Sequence, residues 1–326
     1  GGGTQDKGLQ TSEDSRFYGA TAALDAALTN DGSDLVLQFS VKHEQKLDCG
    51  GAYIKLLGEV DQDAFGGDSP YQIMFGPDIC GSGNARTHVI FNYPPKDDNL
   101  LVKKDVKVER DQLTHLYTLH VKKDNTFEVF IDQASVRSGS LEEEWDFLPP
   151  KEIEDPDLSK PEDWVDEKMI PDPSDVKPEG WDDIPAEIPD PEAEKPEDWE
   201  EEEDGEWEPP MINNPEFKGD WKAKMIDNPD YRGPWVHPKI PNPEYTADDK
   251  LHRRCQDCKY IGFELWQVKS GTIFDDIIVT DSLEEAQAFA EETWAAKKDK
   301  EKELFDEAEQ RRKDELSVSW GLAQVA

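Results

Sequence analysis

Residues 155–164 read DPDLSKPEDW, and the phrase returns with small changes as DPSDVKPEGW at 172–181 and DPEAEKPEDW at 190–199. The full unit is I-x-D-P-x-x-x-K-P-E-x-W, beginning at Ile153, Ile170 and Ile188. A second unit, G-x-W-x-x-x-x-I-x-N-P-x-[YF], follows three times, with Trp207, Trp221 and Trp235 spaced by fourteen residues. Each proline fixes its own φ and pushes the residue before it to extended geometry, which excludes long helices and regular central strands. Repeats this short cannot bury a core of their own. One tryptophan per unit can still pack on lysine stems and prolines if the two sets run antiparallel. The first unit of one set then lies beside the last unit of the other, with the turn near EEEEDGEW at 200–207. A solvated acidic linker avoids periodic tryptophans. The expectation is an extended hairpin arm without a thick core.

Charge and proline mark where the arm begins and ends. Nineteen of the 23 prolines lie between Pro149 and Pro243. Residues 151–247 carry 31 acidic against 10 basic side chains, more than half of the whole-chain net charge of −39. Such a balance repels nucleic acid and anionic membrane and favours cations and basic partners. No run of about 18 apolar residues is present, so the sequence predicts no membrane span. The opening GGGTQDKG has neither a basic nor an apolar leader segment, so any secretory signal is expected to have been removed.

The flanks read differently. Segments 35–43, 52–58, 71–76, 87–93, 113–122 and 126–132 are short, β-branched or aromatic and partly alternating, with turn residues such as Asp31-Gly32 and Asp124-Asn125 between them. Strand character resumes at 260–268 and 271–280. This pattern predicts an antiparallel β-sandwich interrupted by the arm. The expected organisation is sandwich at 1–150 and 248–282, arm at 151–247, and a C-terminal helix and tail at 283–326. Ser282 and Glu285 form a capping box for that helix, and Leu283, Ala286, Ala290 and Trp294 mark one face. The KDEL at 313–316 is followed by ten further residues. A retention receptor reads that signal at a free C-terminus, so it reads here as the end of a charged helix.

The chemistry on offer is binding. Tyr53 and Lys55 lie two apart and share a strand face, with Asp68, Tyr71, Met74 and Asp78 close by in sequence. Tyr71 and Met74 differ in parity, so a bend must bring both to one face. No E-x-D-x-E strand or nucleotide motif is visible, and His88 and His115 sit within strand patterns as structural residues. Cys49 and Cys80 flank the aromatic cluster. The pair Cys255 and Cys258 in CQDC lacks the βαβ context of a redox motif. A zinc site there needs two further ligands, for which His252 and His237 are the candidates. The remaining readings are a local disulfide or a pair of loop thiols.

The stretches VKHEQKLDCGGAYIKLL, YQIMFGPDICGSG, HVIFNY, THLYTL, SGSLEEEWDFLPP and ELWQVKSGTIFDDIIVT, with the three-plus-three repeats, resemble the calreticulin/calnexin family. The calnexin branch has four repeats of each type and a membrane span, so the likeness is to the calreticulin branch. The resemblance implies an all-β, concanavalin- or legume-lectin-like antiparallel sandwich. It also implies a non-enzymatic lectin chaperone of the endoplasmic reticulum lumen that binds monoglucosylated N-glycans and calcium. The glycan residues it implies are Tyr53, Lys55, Asp68, Tyr71, Met74, Asp78, Ile90 and Glu264, the last an aspartate in the family. It implies a Cys49–Cys80 disulfide. It places calcium on Gln5, Lys7 and Asp275. At the arm tip, Glu202, Asp204, Glu206 and Trp207 would take a thioredoxin-fold disulfide isomerase and a prolyl isomerase. The family's opening strands and long acidic tail have no counterpart here, so a truncated N-terminus is expected. Two other readings are a calcium-buffering scaffold, which leaves the Tyr53–Tyr71 cluster unexplained, and a thiol oxidoreductase using Cys255 and Cys258.

Overall fold

The computed structural model describes residues 7–81, 83–196, 199 and 205–323. It divides into two units, Gly1–Pro150 with Pro243–Ala326, and Lys151–Asn242. The second unit ends five residues before the boundary expected from composition. Residues just beyond it are held within the first unit, where the Tyr245 hydroxyl donates to Glu142 at 2.7 Å and the Asn125 amide to the Asp248 carbonyl at 3.1 Å.

The first unit is a sandwich of two antiparallel sheets. One has six strands in the order Leu9–Gln10, Thr272–Thr280, Leu35–His43, Thr114–Val121, Thr126–Ile131 and Ala134–Ser140. The other runs Arg16–Leu28, Cys258–Gln267, Cys49–Gly51, Ile73–Cys80, Asn84–Tyr93 and Asp98–Leu101, with Ile54–Leu57 also pairing Cys258–Gln267 and Ile73–Cys80. Alternate residues point inward. Leu35, Leu37, Phe39 and Val41 meet Ile54, Leu56, Ile73, Phe75, Val89, Phe91, Phe263 and Leu265 in one buried cluster. Trp145 closes it, fully buried, 4.6 Å from Phe127 and 4.9 Å from Phe91 between ring centroids.

Leu35–His43 is buried on almost every position because its second face is covered too. Helix Leu283–Ala290 lies over it, buries Ala286 and Ala290, and receives the Gln38 amide on the Ala286 carbonyl at 2.9 Å. The Ser282 hydroxyl accepts from Glu285 N at 3.2 Å and caps that helix. Five sandwich strands were not anticipated from sequence: the short Leu9–Gln10, Cys49–Gly51 and Asp98–Leu101, and the longer Arg16–Leu28 and Ala134–Ser140. The two longer ones are sheet edges in which no residue is fully buried, so neither carries a clear alternating signal.

The second unit is a ladder of three two-stranded rungs. Ile153 faces Ile240, Ile170 faces Ile226, and Ile188 faces Ile212, all antiparallel. Indole N–H groups tie the two sides together. Trp164 donates to the Gly233 carbonyl at 2.8 Å, Trp181 to Gly219 at 2.8 Å, and Trp199 to Gly205 at 2.9 Å. Those glycines have φ of 89°, 75° and 82°, a region that a side chain disfavours. The D-P and N-P dipeptides also have a physical role. Asp155, Asp172, Asp190, Asn214 and Asn228 each accept from the backbone N–H two residues on, forming Asx turns.

Candidate carbohydrate-binding face

Strand register places the candidate residues. Lys55 lies opposite Gly262 on one side and Met74 on the other, and Met74 lies opposite Ile90. Asp78 is four residues beyond Met74, and Glu264 two beyond Gly262. Even spacing puts all five on the face turned from the core, while their neighbours Ile54, Phe75, Val89 and Phe263 are buried.

At the centre, Lys55 Nζ pairs with Glu264 Oε2 at 3.0 Å, the two side chains 2% and 14% exposed. Opposite charges this deeply buried stabilise one another, because little water competes for either. The Tyr71 ring packs on Lys55, its centroid 5.0 Å from Nζ. Tyr71 precedes the strand Ile73–Cys80, so parity does not bind it, and a bend at Gln72 turns it onto this face.

Tyr53 stands edge-on to His88 at 6.1 Å, and His88 Nε2 meets Asp78 Oδ2 at 3.0 Å. Burial, then the negative charges of Glu264 and Asp78, pushes the Tyr53 hydroxyl far above its ordinary value; burial and Asp98 raise Tyr71. Both phenols therefore stay neutral at physiological pH and can donate as well as accept. Asp68 is exposed on the loop, one residue past Gly67, where an added methyl would sit 3.6 Å from Glu264 Oε1. Sequence reasoning did not give His88 its place beside Asp78, since facing across strands leaves no trace in spacing.

Cys49 and Cys80 face each other across adjacent strands and form a disulfide. Cys255 and Cys258 are also joined, and both are fully buried. Neither sulfur is presented to solvent as thiol exchange requires. His252 is occupied by Asn125 and the Asp31 carbonyl, and among the described residues no group of three His, Cys, Asp or Glu could hold a metal. His115 bridges Asp111 and Asp132 at 2.8 Å on both ring nitrogens, a structural clamp on the other sheet.

Of the calcium candidates, Gln5 lies outside the described residues. The chain at Lys7–Gly8 runs along Asp275: a methyl on Gly8 would be 3.5 Å from the Asp275 Cβ and 2.5 Å from Ile273, so glycine alone fits. A bulge follows Asp275, whose Oδ1 accepts from Asp276 N at 2.9 Å. Carboxylate and carbonyl oxygens suit calcium. Asp275 and Asp276 both line the cavity beside Gly8. Glu202 and Asp204 lie outside the described residues, while Glu206 is exposed and Trp207 half-buried.

A two-sheet sandwich whose solvent-facing sheet carries aromatic rings around a buried ion pair has the architecture of a sugar-binding, lectin-type domain. The comparisons narrow that class. The model of the Calreticulin family matches residues 2–205 and 203–279. Calreticulin of Chlamydomonas reinhardtii is 64% identical over 304 residues, covering 92% of this chain and 72% of the relative. That of Euglena gracilis is 59% identical over 305 residues, covering 94% and 75%. The T. cruzi calreticulin globular domain superposes with a TM-score of 0.65 at 31% identity, over 93% of this chain and 84% of that one. This chain belongs to the calreticulin family, whose members are non-enzymatic lectin chaperones that bind calcium. No described helix is long and apolar enough to cross a membrane.

Proposed function

We propose that the outer face of the seven-stranded sheet binds monoglucosylated N-glycans of folding glycoproteins in the endoplasmic reticulum lumen. The observation that carries this reading is the buried Lys55–Glu264 pair, with the Tyr71 ring packed on Lys55. Charged donors and acceptors held out of water bind sugar hydroxyls through strong hydrogen bonds, and Tyr53, Tyr71, Met74 and Ile90 offer apolar surface to the C–H side of a pyranose. Asp78, steadied by His88, and Asp68 on the adjacent loop extend the polar rim. Tyr71→Ala tests it. Affinity for a glucose-capped oligomannose, measured by calorimetry, should fall by at least about a hundredfold with the fold intact; unchanged affinity refutes the assignment.

The repeat unit, on this reading, recruits folding enzymes. An acidic surface steers basic partners, and prolines limit the conformations lost when one docks. Glu202, Asp204, Glu206 and Trp207 form the proposed contact for a disulfide isomerase and a prolyl isomerase. Trp207→Ala should weaken isomerase binding, read by titration, with sugar affinity unaltered. Calcium is proposed on Asp275 with the backbone carbonyls of Gln5 and Lys7.

A further inference from the structure

Gln72 is the bend that turns Tyr71 onto the sugar face, and it is held from four directions. Its backbone N–H donates to the Leu56 carbonyl at 2.8 Å, and its carbonyl accepts from Asn92 N at 2.9 Å. Its side-chain amide makes a two-point pair with the backbone of Gln256: Gln256 N donates to Oε1 at 2.6 Å, and Nε2 donates to the Gln256 carbonyl at 2.7 Å. Gln256 is the second residue of the loop closed by the Cys255–Cys258 disulfide.

That loop is itself anchored. Asn30, fully buried, accepts from Cys255 N at 2.9 Å and donates its amide to the His252 carbonyl at 2.8 Å, while Asp257 N donates to Thr29 at 3.2 Å. Arg254 inserts its guanidinium between Tyr93 and Phe147, at 5.3 and 4.9 Å from the ring centroids, and donates to the Asn92 carbonyl at 3.2 Å. Asn92 is the residue that donates to Gln72, so the network closes on itself. Opposite the amide pair stands Gly58, where a methyl group would lie 3.3 Å from Gln72 Nε2 and 3.8 Å from the Asp257 carbonyl. Every arm of this arrangement converges on a residue that the sugar site does not itself use.

We propose that the disulfide-closed loop 255–258 braces the sugar-binding face: through Gln72 it holds the Tyr71 ring over Lys55, which makes Gln72 a positioning residue for glycan binding. This rests on the glycan-binding reading above. A two-point amide pair with a rigid loop removes the freedom of the bend before ligand arrives, and that freedom would otherwise be lost on binding.

The test uses the full chain with Gln72→Ala and, separately, Cys255→Ser/Cys258→Ser. Affinity for a monoglucosylated oligomannose tetrasaccharide is measured by calorimetry. The setting of Tyr71 is read from its ring signals in protein labelled with 13C-tyrosine, assigned by their absence from Tyr71→Phe. Gln72→Ala should weaken sugar binding about tenfold and the serine pair about threefold. In both, the Tyr71 signals should move toward those of unstructured tyrosine, with the melting midpoint of Gln72→Ala held within about 2 °C. Affinity within twofold of the unaltered chain, or unmoved Tyr71 signals, overturns the proposal. If the unaltered chain does not bind the tetrasaccharide, the glycan reading fails on its own, and the Tyr71 signals alone decide the brace.

Discussion

In the sandwich, Trp145 is fully buried among Phe91, Phe127 and Phe147 and donates to the Val89 carbonyl at 3.3 Å. In the repeat ladder, Trp181 is half-buried, donates to Gly219, and has Lys218 5.8 Å above its ring. The same residue type does two different jobs. In the sandwich it joins strands far apart in sequence into one core, so every element depends on it. In the ladder it ties the two sides between one pair of neighbouring rungs, and the next pair has a tryptophan of its own. Stability is therefore shared across the sandwich and close to a sum of local terms along the ladder, as in other repeat architectures. The proposed sugar site needs the first kind of support, because its residues come from segments at 53–55, 71–78, 90 and 264.

The sharpest way to break this comparison is Trp145→Ala. Emptying that site should cost about 3–5 kcal/mol and lower the main transition in chemical denaturation, with the repeat ladder's chemical shifts unmoved. Loss of both together would show that the two regions share one cooperative unit. Next in size, Cys49→Ser opens a loop whose ends are 31 residues apart. It should cost about 2–4 kcal/mol, and it should weaken sugar binding more than global stability, since the bond ties strands that carry Asp78 and border Tyr53. Equal losses in calorimetry and thermal melting would make it a general staple instead.

Trp181→Ala should cost about 1–2 kcal/mol, confined to the two rungs on either side of its bond to Gly219: amide exchange around Ile170–Ile226 and Ile188–Ile212 should quicken while the Ile153–Ile240 rung stays protected. Exchange that quickens along the whole ladder would sink the local-sum description. The smallest effect sharpens the sandwich side through pH. Burial opposes the charge on His115, but the hydrogen bonds it donates to Asp132 and Asp111 outweigh it and raise its pKa to about 9. A raised base contributes stability that is complete below its unfolded value of about 6.5 and is lost as pH rises through about 9. His115→Gln should lower the melting midpoint by about 2–4 °C near pH 6, with the gap closing above pH 9. His43, pulled down to about 4 by burial and then by the His115 charge, titrates outside that window. A gap that does not vary with pH would mean that the imidazolium contributes nothing as a charge.

Much of this protein was legible because its signals are local. The antiparallel repeat ladder follows from proline φ, the paired repeat patterns and one tryptophan per unit, all properties of a few consecutive residues. The inward strands follow from alternation, as in Leu35, Leu37, Phe39 and Val41. The edges Arg16–Leu28 and Ala134–Ser140 were not legible, because an edge of small, exposed residues bears no hydrophobic period. Chemical identity likewise nominated Tyr53, Lys55, Tyr71, Met74, Asp78, Ile90 and Glu264, but not how they meet. The Lys55–Glu264 pair spans 209 residues, His88 reaches Asp78 only through strand pairing, and Gln72 gains its role from a loop 184 residues further on. Sequence determined which side chains could bind sugar and which segments could form strands. Register and the closing of loop 255–258 decided which of them face one another, because contacts between distant residues are set by the packing of the whole sandwich and not by the chain on either side of them.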